Sequence, residues 1–546
     1  MSDQRKRGIR IDRRSFIGSS VAAAGLYASG AFRRAWAQEI RLASPSKAVQ
    51  TTQGSIQGVV LDGGVNAFYG VPYGASTAGA NRFMPPQKPA PWTGVKETTL
   101  VGYRSPQDFV GPITEVEALD RRETQSEDCL NLNVFTPALG RGDRPVMLWL
   151  HGGGFTSGSG NWLLYDGARL ARTQDVVVVP VTHRLNVFGY LHLEELGGEQ
   201  FKGASNVGML DIIAALQWVH DNIARFGGNP ENVTIFGQSG GGGKVGALLG
   251  MPGAKGLFHK AIGMSGAFLQ GLPKERATET AQKFMAAVGA KSVAEMQKMP
   301  MEQLRETYLK ATGLALQPAV DGHTLPANPF APTATAISAG VPLMMGTVEH
   351  EVNFFPTTAI EPIEEAELLS KVKQALRTED AKAKEVVELY KHNRSHASNI
   401  ELYQIIASDN QMRTGPMTQT ERKAEQASAP VYQYYFRWLS SVREGKLRAY
   451  HCLDIPFAFN NVEVTTSMTG TAQSRYSLAT KVSSAFASFA RTGNPNTGGL
   501  PNWPQFDLKT RATMALNNDC EVISDPYRDE RLLLAQIRET AARGNS

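Results

Sequence analysis

The chain has 546 residues, 42% of them hydrophobic and 20% charged, the make-up of an ordinary globular protein with a sizeable core. Its three cysteines, Cys129, Cys452 and Cys520, are too few for a disulfide-stapled scaffold, and no C-x-x-C spacing suggests a metal site. The formal charge of +5 would point to an acidic partner, but where that charge sits along the chain removes the reading.

The positive excess lies at the N terminus. Arg5, Lys6, Arg7 and Arg10 precede a twin arginine, Arg13-Arg14, followed by Ser15-Phe16-Ile17. A Gly/Ala-rich apolar stretch then runs to Ala31, and Ala35-Trp36-Ala37 offers a small-x-small cleavage site. Residues 1–37 therefore resemble a bacterial twin-arginine (Tat) signal peptide, departing from its usual pattern at Asp12 and Gly18. The resemblance implies export to the periplasm or secretion. Taking away the eight basic and two acidic residues of this segment leaves 48 basic and 49 acidic ones, so the case for binding nucleic acid disappears. No later apolar run reaches 18 residues, so no membrane span is expected in the mature chain.

Residues 38–546 contain no linker rich in Gly, Pro or Ser, and read as one catalytic domain with insertions; a boundary near residue 350 is the alternative. Buried strand-like runs recur at 146–150, 176–181, 233–236, 343–346 and 431–438. Between several of them lie helical patterns, such as 211–226, where Ile212, Ala215, Leu216, Val219 and Ile223 share one face. Charged helices around 361–394 read as a peripheral layer. Continuous apolar strands alternating with amphipathic helices predict an α/β fold, a mostly parallel sheet covered on both faces.

The run Val233-Thr-Ile-Phe-Gly-Gln-Ser-Gly-Gly241 carries the most chemistry. A strand stops at Gly237-Gln238-Ser239-Gly240-Gly241, and a helix-compatible stretch, 244–249, follows. That is a G-x-S-x-G nucleophile elbow in its strand–turn–helix setting. The glycines also invite a phosphate-loop reading, but Gln238 and Val245 stand where that motif needs glycine and a hydroxyl. A dinucleotide fingerprint after residue 150 fails as well, because Ser157 takes the place of its third glycine. Acyl transfer through serine also needs a base, a group orienting the base, and donors for an oxyanion. His151-Gly152-Gly153-Gly154, at the end of a strand, supplies such donors: the amides of Gly153 and Gly154, with that of Gly240 after the nucleophile.

Ser126-Glu-Asp-Cys-Leu-Asn-Leu-Asn-Val134, Phe68-Tyr-Gly-Val-Pro-Tyr73, Arg184-Leu-Asn-Val-Phe-Gly-Tyr190 and Phe226-Gly-Gly-Asn-Pro-Glu-Asn-Val-Thr-Ile-Phe236 resemble the motifs of type-B carboxylesterases, the group of cholinesterases and bacterial para-nitrobenzyl esterases. The likeness runs over nearly all of the mature chain. It implies an α/β-hydrolase fold and a triad in the order Ser, Glu, His. The acid implied is Glu351, the sixth residue of Gly346-Thr-Val-Glu-His-Glu351, with Glu349 expected as a solvated loop charge. The chain departs from the family at His350 and Val352, where Asp and Gly are usual. Of the histidines after the acid, His392 and His396 lie in a charged stretch, whereas His451 heads Cys452-Leu-Asp-Ile-Pro-Phe457, like the family's histidine loop. The resemblance further implies ion pairs Arg82–Glu127 and Arg184–Asp211. It leaves Cys129 without its usual partner, because Ser105 stands at that position, and no intrachain disulfide is expected.

The function so implied is hydrolysis of a small-molecule carboxylic ester through an acyl-enzyme on Ser239, chemistry that requires no cofactor. Amide hydrolysis or acyl transfer would use the same residues. A non-catalytic binding protein on this fold is a third reading, although such relatives typically lack a triad member that this chain retains. Trp162, Tyr165, Phe354 and Phe355 are candidates to line an apolar pocket.

Overall fold

A computed structural model describes residues 44–108 and 113–544; the leader segment 1–37 lies outside them. Twelve strands form one sheet: β1 (Ser44–Pro45), β2 (Val59–Val60), β3 (Asn66–Pro72), β4 (Asn131–Thr136), β5 (Gly140–Leu150), β6 (Val177–Val181), β7 (Phe226–Gln238), β8 (Lys260–Met264), β9 (Leu343–Val348), β10 (Val431–Phe436), β11 (Ala512–Leu516) and β12 (Glu521–Ser524). Their spatial order is β1-β2-β3-β4-β6-β5-β7-β8-β9-β10-β11-β12. From β6 through β11 every neighbouring pair is parallel, while β1–β4 and β12 add antiparallel edges. This is the α/β-hydrolase arrangement, a large mixed sheet with helices on both faces.

The central strands are apolar without alternation because helices cover both sides. All five residues of β6 and all six of β9 and β10 are buried. Trp149, Phe236, Met344 and Tyr434 pack on one face; Leu148, Ile235, Leu343 and Met345 pack on the other. The predicted 211–226 helix is α1 (Val207–Asn222), extended by a short 3-10 turn. The charged peripheral segments are helices Glu365–Leu376 and Asp380–Asn393, whose apolar sides meet Leu533, Leu534 and Ile537 of the C-terminal helix.

Two buried ion pairs brace the loops around the strand ends. Arg82 Nη2 lies 2.6 Å from Glu127 Oε2. Arg184 Nη2 lies 2.6 Å from Asp211 Oδ1, and Arg184 Nε donates to Oδ2 at 2.8 Å. Cys129, Cys452 and Cys520 are all free thiols, and Ser105 is buried where the related cysteine would stand. Among the described residues no helix is long and apolar enough to cross a membrane.

Candidate active site

Strands β5, β7, β9 and β10 run parallel, so their carboxyl ends open onto one edge of the sheet, where α/β folds place their ligands. Most candidate residues lie in the chain just beyond one of these ends: Gly153 and Gly154 after β5, Ser239 after β7 and Glu351 after β9; His451 lies farther along the loop that follows β10.

Ser239 turns the chain from β7 directly into α2 (Gly240–Leu249), with φ 58° and ψ −122°. A non-glycine residue there carries strain of roughly 1–3 kcal/mol, which the surrounding contacts must hold. Ser239 N–H donates to the Met264 carbonyl on β8 at 2.8 Å, and Gly243 N–H returns to the Ser239 carbonyl at 3.0 Å. Small neighbours are obligatory: a Cβ on Gly241 would lie 2.0 Å from the Leu150 carbonyl oxygen, and one on Gly240 2.2 Å from that of Gly154. The helix therefore begins at Gly240, four residues before the stretch that reads as helix from composition. Glycine's weak helix propensity yields to the close approach of the β5 loop.

That loop is held from behind. His151 Nδ1 contacts the Gly152 carbonyl at 2.8 Å, and Ser157 N–H donates to the Gly153 carbonyl at 3.0 Å. Gly153 and Gly154 have φ of 88° and 61°, values a side chain would strain, and both are exposed. Their amides and that of Gly240 make no hydrogen bond among the described residues, which leaves three donors beside Ser239 at a helix N terminus.

Glu351 and His451 are buried and joined: His451 Nδ1 lies 2.5 Å from Glu351 Oε2. Glu351 Oε1 accepts from Val348 N–H at 3.0 Å, so both carboxylate oxygens are engaged. His350 N–H, donating to the Ala449 carbonyl at 2.9 Å, ties the acid loop to the histidine loop. Glu349 is not the solvated charge expected. It is buried and paired with Arg437 at 3.1 Å, because its amide bonds to the Phe436 carbonyl at the end of β10, beside Arg437. His392 and His396 are exposed.

The third member of the constellation is not joined to the other two. No hydrogen bond links Ser239 Oγ to His451 among the described residues. Instead Gln238 Nε2 lies 3.1 Å from His451 Nε2. With the Nδ1 proton directed at Glu351, the Gln238 amide donates to the Nε2 lone pair, and Cys452 Sγ–H donates to Gln238 Oε1 at 3.2 Å. Burial holds the Cys452 thiol well above its ordinary pKa, so it remains a donor. Asp454 is fully buried beneath; it accepts from the Tyr434 hydroxyl at 2.7 Å, and burial pushes its carboxyl up to about 7. Of the pocket candidates, Phe354 meets the His451 ring edge-on at 5.1 Å. Tyr165 instead belongs to the core, against Trp149, and Phe355 is exposed.

Residues 45–534 match the carboxylesterase family. The chain is 35% identical over 499 residues to the para-nitrobenzyl esterase of Bacillus subtilis, covering 88% of this chain and 97% of that relative. The chain belongs to the carboxylesterase family. As such it is a carboxylic ester hydrolase. Among solved structures, the Geobacillus stearothermophilus carboxylesterase superposes with a TM-score of 0.77 at 33% identity, covering 90% of this esterase and 100% of its own chain. An esterase from Clostridium hathewayi, described as hydrolysing aliphatic aromatic polyesters, superposes at 0.79 with 32% identity, covering 90% and 98%.

The contacts of Gln238 with His451 and of Lys244 with the His151–Gly154 loop did not emerge from the sequence. Lys244 gave one signal, a lone charge inside an otherwise apolar helix. Gln238 gave none, since its contact with His451 spans 213 residues.

Proposed function

We propose that this esterase hydrolyses small-molecule carboxylic esters through an acyl-enzyme on Ser239, with His451 as base and Glu351 as its orienting acid. The observation that carries the reading is the buried 2.5 Å contact between His451 Nδ1 and Glu351 Oε2, opposite the ring nitrogen that faces the elbow. In the resting arrangement Gln238 occupies Nε2. In this reading the Ser239 hydroxyl, on the residue next to Gln238, replaces the Gln238 amide at Nε2 before attack.

Ser239 Oγ then bonds to the ester carbonyl carbon as its proton passes to His451 Nε2, and Glu351 stabilises the imidazolium. The carbonyl oxygen becomes an oxyanion received by the amides of Gly153, Gly154 and Gly240, where losing one donor typically lowers kcat by about 10²–10³. Collapse breaks the bond to the alkoxide, which leaves with the His451 proton. Water, losing its proton to His451, attacks the acyl carbon; the second tetrahedral adduct collapses as the proton returns to Ser239 Oγ and the acid departs. Phe354, edge-on to His451, supports an apolar substrate group beside the base.

Residues 1–37 act in this proposal as a twin-arginine leader, removed on export of residues 38–546 as a single catalytic domain. A fluorophosphonate probe tests the nucleophile. Stoichiometric labelling at Ser239, located by peptide mass spectrometry and lost in Ser239→Ala, is the expected result. Labelling elsewhere with Ser239 unmodified would remove the assignment.

A further inference from the structure

The glycine run after Ser239 ends on a lysine that the mechanism above does not use. Lys244 stands on the second turn of α2, is fully buried, and has no carboxylate within ion-pair distance among the described residues. Its Nζ donates to the carbonyl of His151 at 2.9 Å and to that of Gly154 at 2.8 Å, and lies 5.6 Å from the centre of the Phe155 ring. Burying an amine without a counter-ion is unfavourable, and here burial alone pulls the ammonium down to about 7. An apolar side chain would pack this helix against the sheet without that penalty. The feature an apolar residue cannot reproduce is the pair of hydrogen bonds to the loop.

Those two carbonyls bracket the peptides whose N–H groups would meet an oxyanion. The Gly153 amide belongs to the peptide with the Gly152 carbonyl, and the Gly154 amide to the peptide with the Gly153 carbonyl. His151 Nδ1 engages the first of these carbonyls and Ser157 the second. Lys244 engages the carbonyls immediately before and after. All four consecutive carbonyls from His151 to Gly154 thus have donors, which fixes the direction of the intervening amides. Two of the three glycines have left-handed φ and no side chain to restrain them, so this outside anchoring sets their direction.

We propose that Lys244 is a positioning residue of the oxyanion hole, holding the Gly152–Gly154 loop on the nucleophile helix through the carbonyls of His151 and Gly154. The proposal rests on the Ser239 reading above. Lys244 touches neither substrate nor the reacting atoms. Its contribution appears only when the loop must bind developing negative charge, so it lowers the transition state more than the substrate complex.

The test compares the full exported chain with Lys244→Met, which keeps the volume and loses every donor. Active sites are counted by organophosphate titration, and para-nitrophenyl butyrate turnover is expressed per titrated site. The expected result is a fall in kcat of tenfold or more with KM changed less than threefold. Affinity for a trifluoromethyl ketone, which forms the oxyanion reversibly, should fall by a similar factor. Should Lys244→Met not fold, Lys244→Gln is measured in the same way. A kcat per titrated site within twofold of the parent, with unchanged ketone affinity, would overturn the proposal and reduce Lys244 to a packing role. Ser239→Ala, run alongside, separates the two claims: retained turnover there removes the nucleophile, whatever Lys244 does.

Discussion

Replacing Asp454 by Asn removes a proton equilibrium that folding has displaced from an ordinary 3.8 to about 7. Burial is the main cause; the Glu351 carboxylate adds to it, while the Tyr434 hydroxyl and His451 oppose it. Asp454 Oδ1 is buried without a hydrogen-bond partner, consistent with a site that favours the neutral acid. Because the folded pKa is raised, the unfolded chain holds fewer protons at this position between pH 4 and 7. The native state therefore loses stability relative to the unfolded one as pH rises through that window. A displacement of roughly three units at 1.36 kcal/mol each amounts to about 4 kcal/mol. For about 500 folded residues the unfolding entropy near Tm is roughly 1 kcal/mol/K, so the shift corresponds to about 4 °C. Scanning fluorimetry of parent and Asp454→Asn at pH 4, 5.5, 7 and 8.5 reads it as a difference. Any constant effect of the amide cancels, as do the titrating groups that do not interact with Asp454, including Lys244. The expected outcome is that the Tm difference, variant minus parent, grows by several degrees from pH 4 to 8.5 and levels off above about 7. A difference flat in pH, or one that shrinks as pH rises, would refute the reasoning.

Three further outcomes are expected. Glu351→Gln should fold normally yet lose about 10³–10⁴ in kcat, because the amide no longer fixes the Nδ1–H tautomer of His451; kcat within tenfold of the parent would contradict it. Asp211→Asn leaves the Arg184 guanidinium buried without its carboxylate, and should destabilise the fold by about 3–5 kcal/mol, read as a Tm lower by several degrees. Arg13→Lys with Arg14→Lys should leave the precursor uncleaved in the cytoplasm of a bacterial host, checked by fractionation and N-terminal sequencing; normal maturation would count against a twin-arginine leader.

Much of the fold is legible because the core strands are short, apolar and bounded by glycine. The run at 343–346 gives β9, ending at Val348, and the one at 233–236 gives the end of β7. The start of β7 at Phe226 is not legible, since Gly227, Gly228 and Pro230 argue against a strand, and its pairing with β5 there is irregular. The start of α2 was obscured for a similar reason. Four glycines carry little helix propensity, and what makes them helical is the loop lying against Gly240 and Gly241. Glu351 was readable only through family spacing, because nothing local distinguishes it from Glu349, which pairs instead with Arg437. Contacts among buried polar groups, such as those of Gln238 with His451 and of Lys244 with the oxyanion loop, join residues some 90 to 213 positions apart and leave no periodic trace.

The most direct test of the whole account is hydrolysis of a para-nitrophenyl ester series of increasing acyl length by residues 38–546, parent against Ser239→Ala. The account predicts turnover by the parent, with an acyl-length optimum that sizes the pocket, and a loss of about 10⁴-fold or more in kcat/KM in the alanine variant. Turnover by the variant within tenfold of the parent would contradict it, since the hydrolysis would then not pass through Ser239.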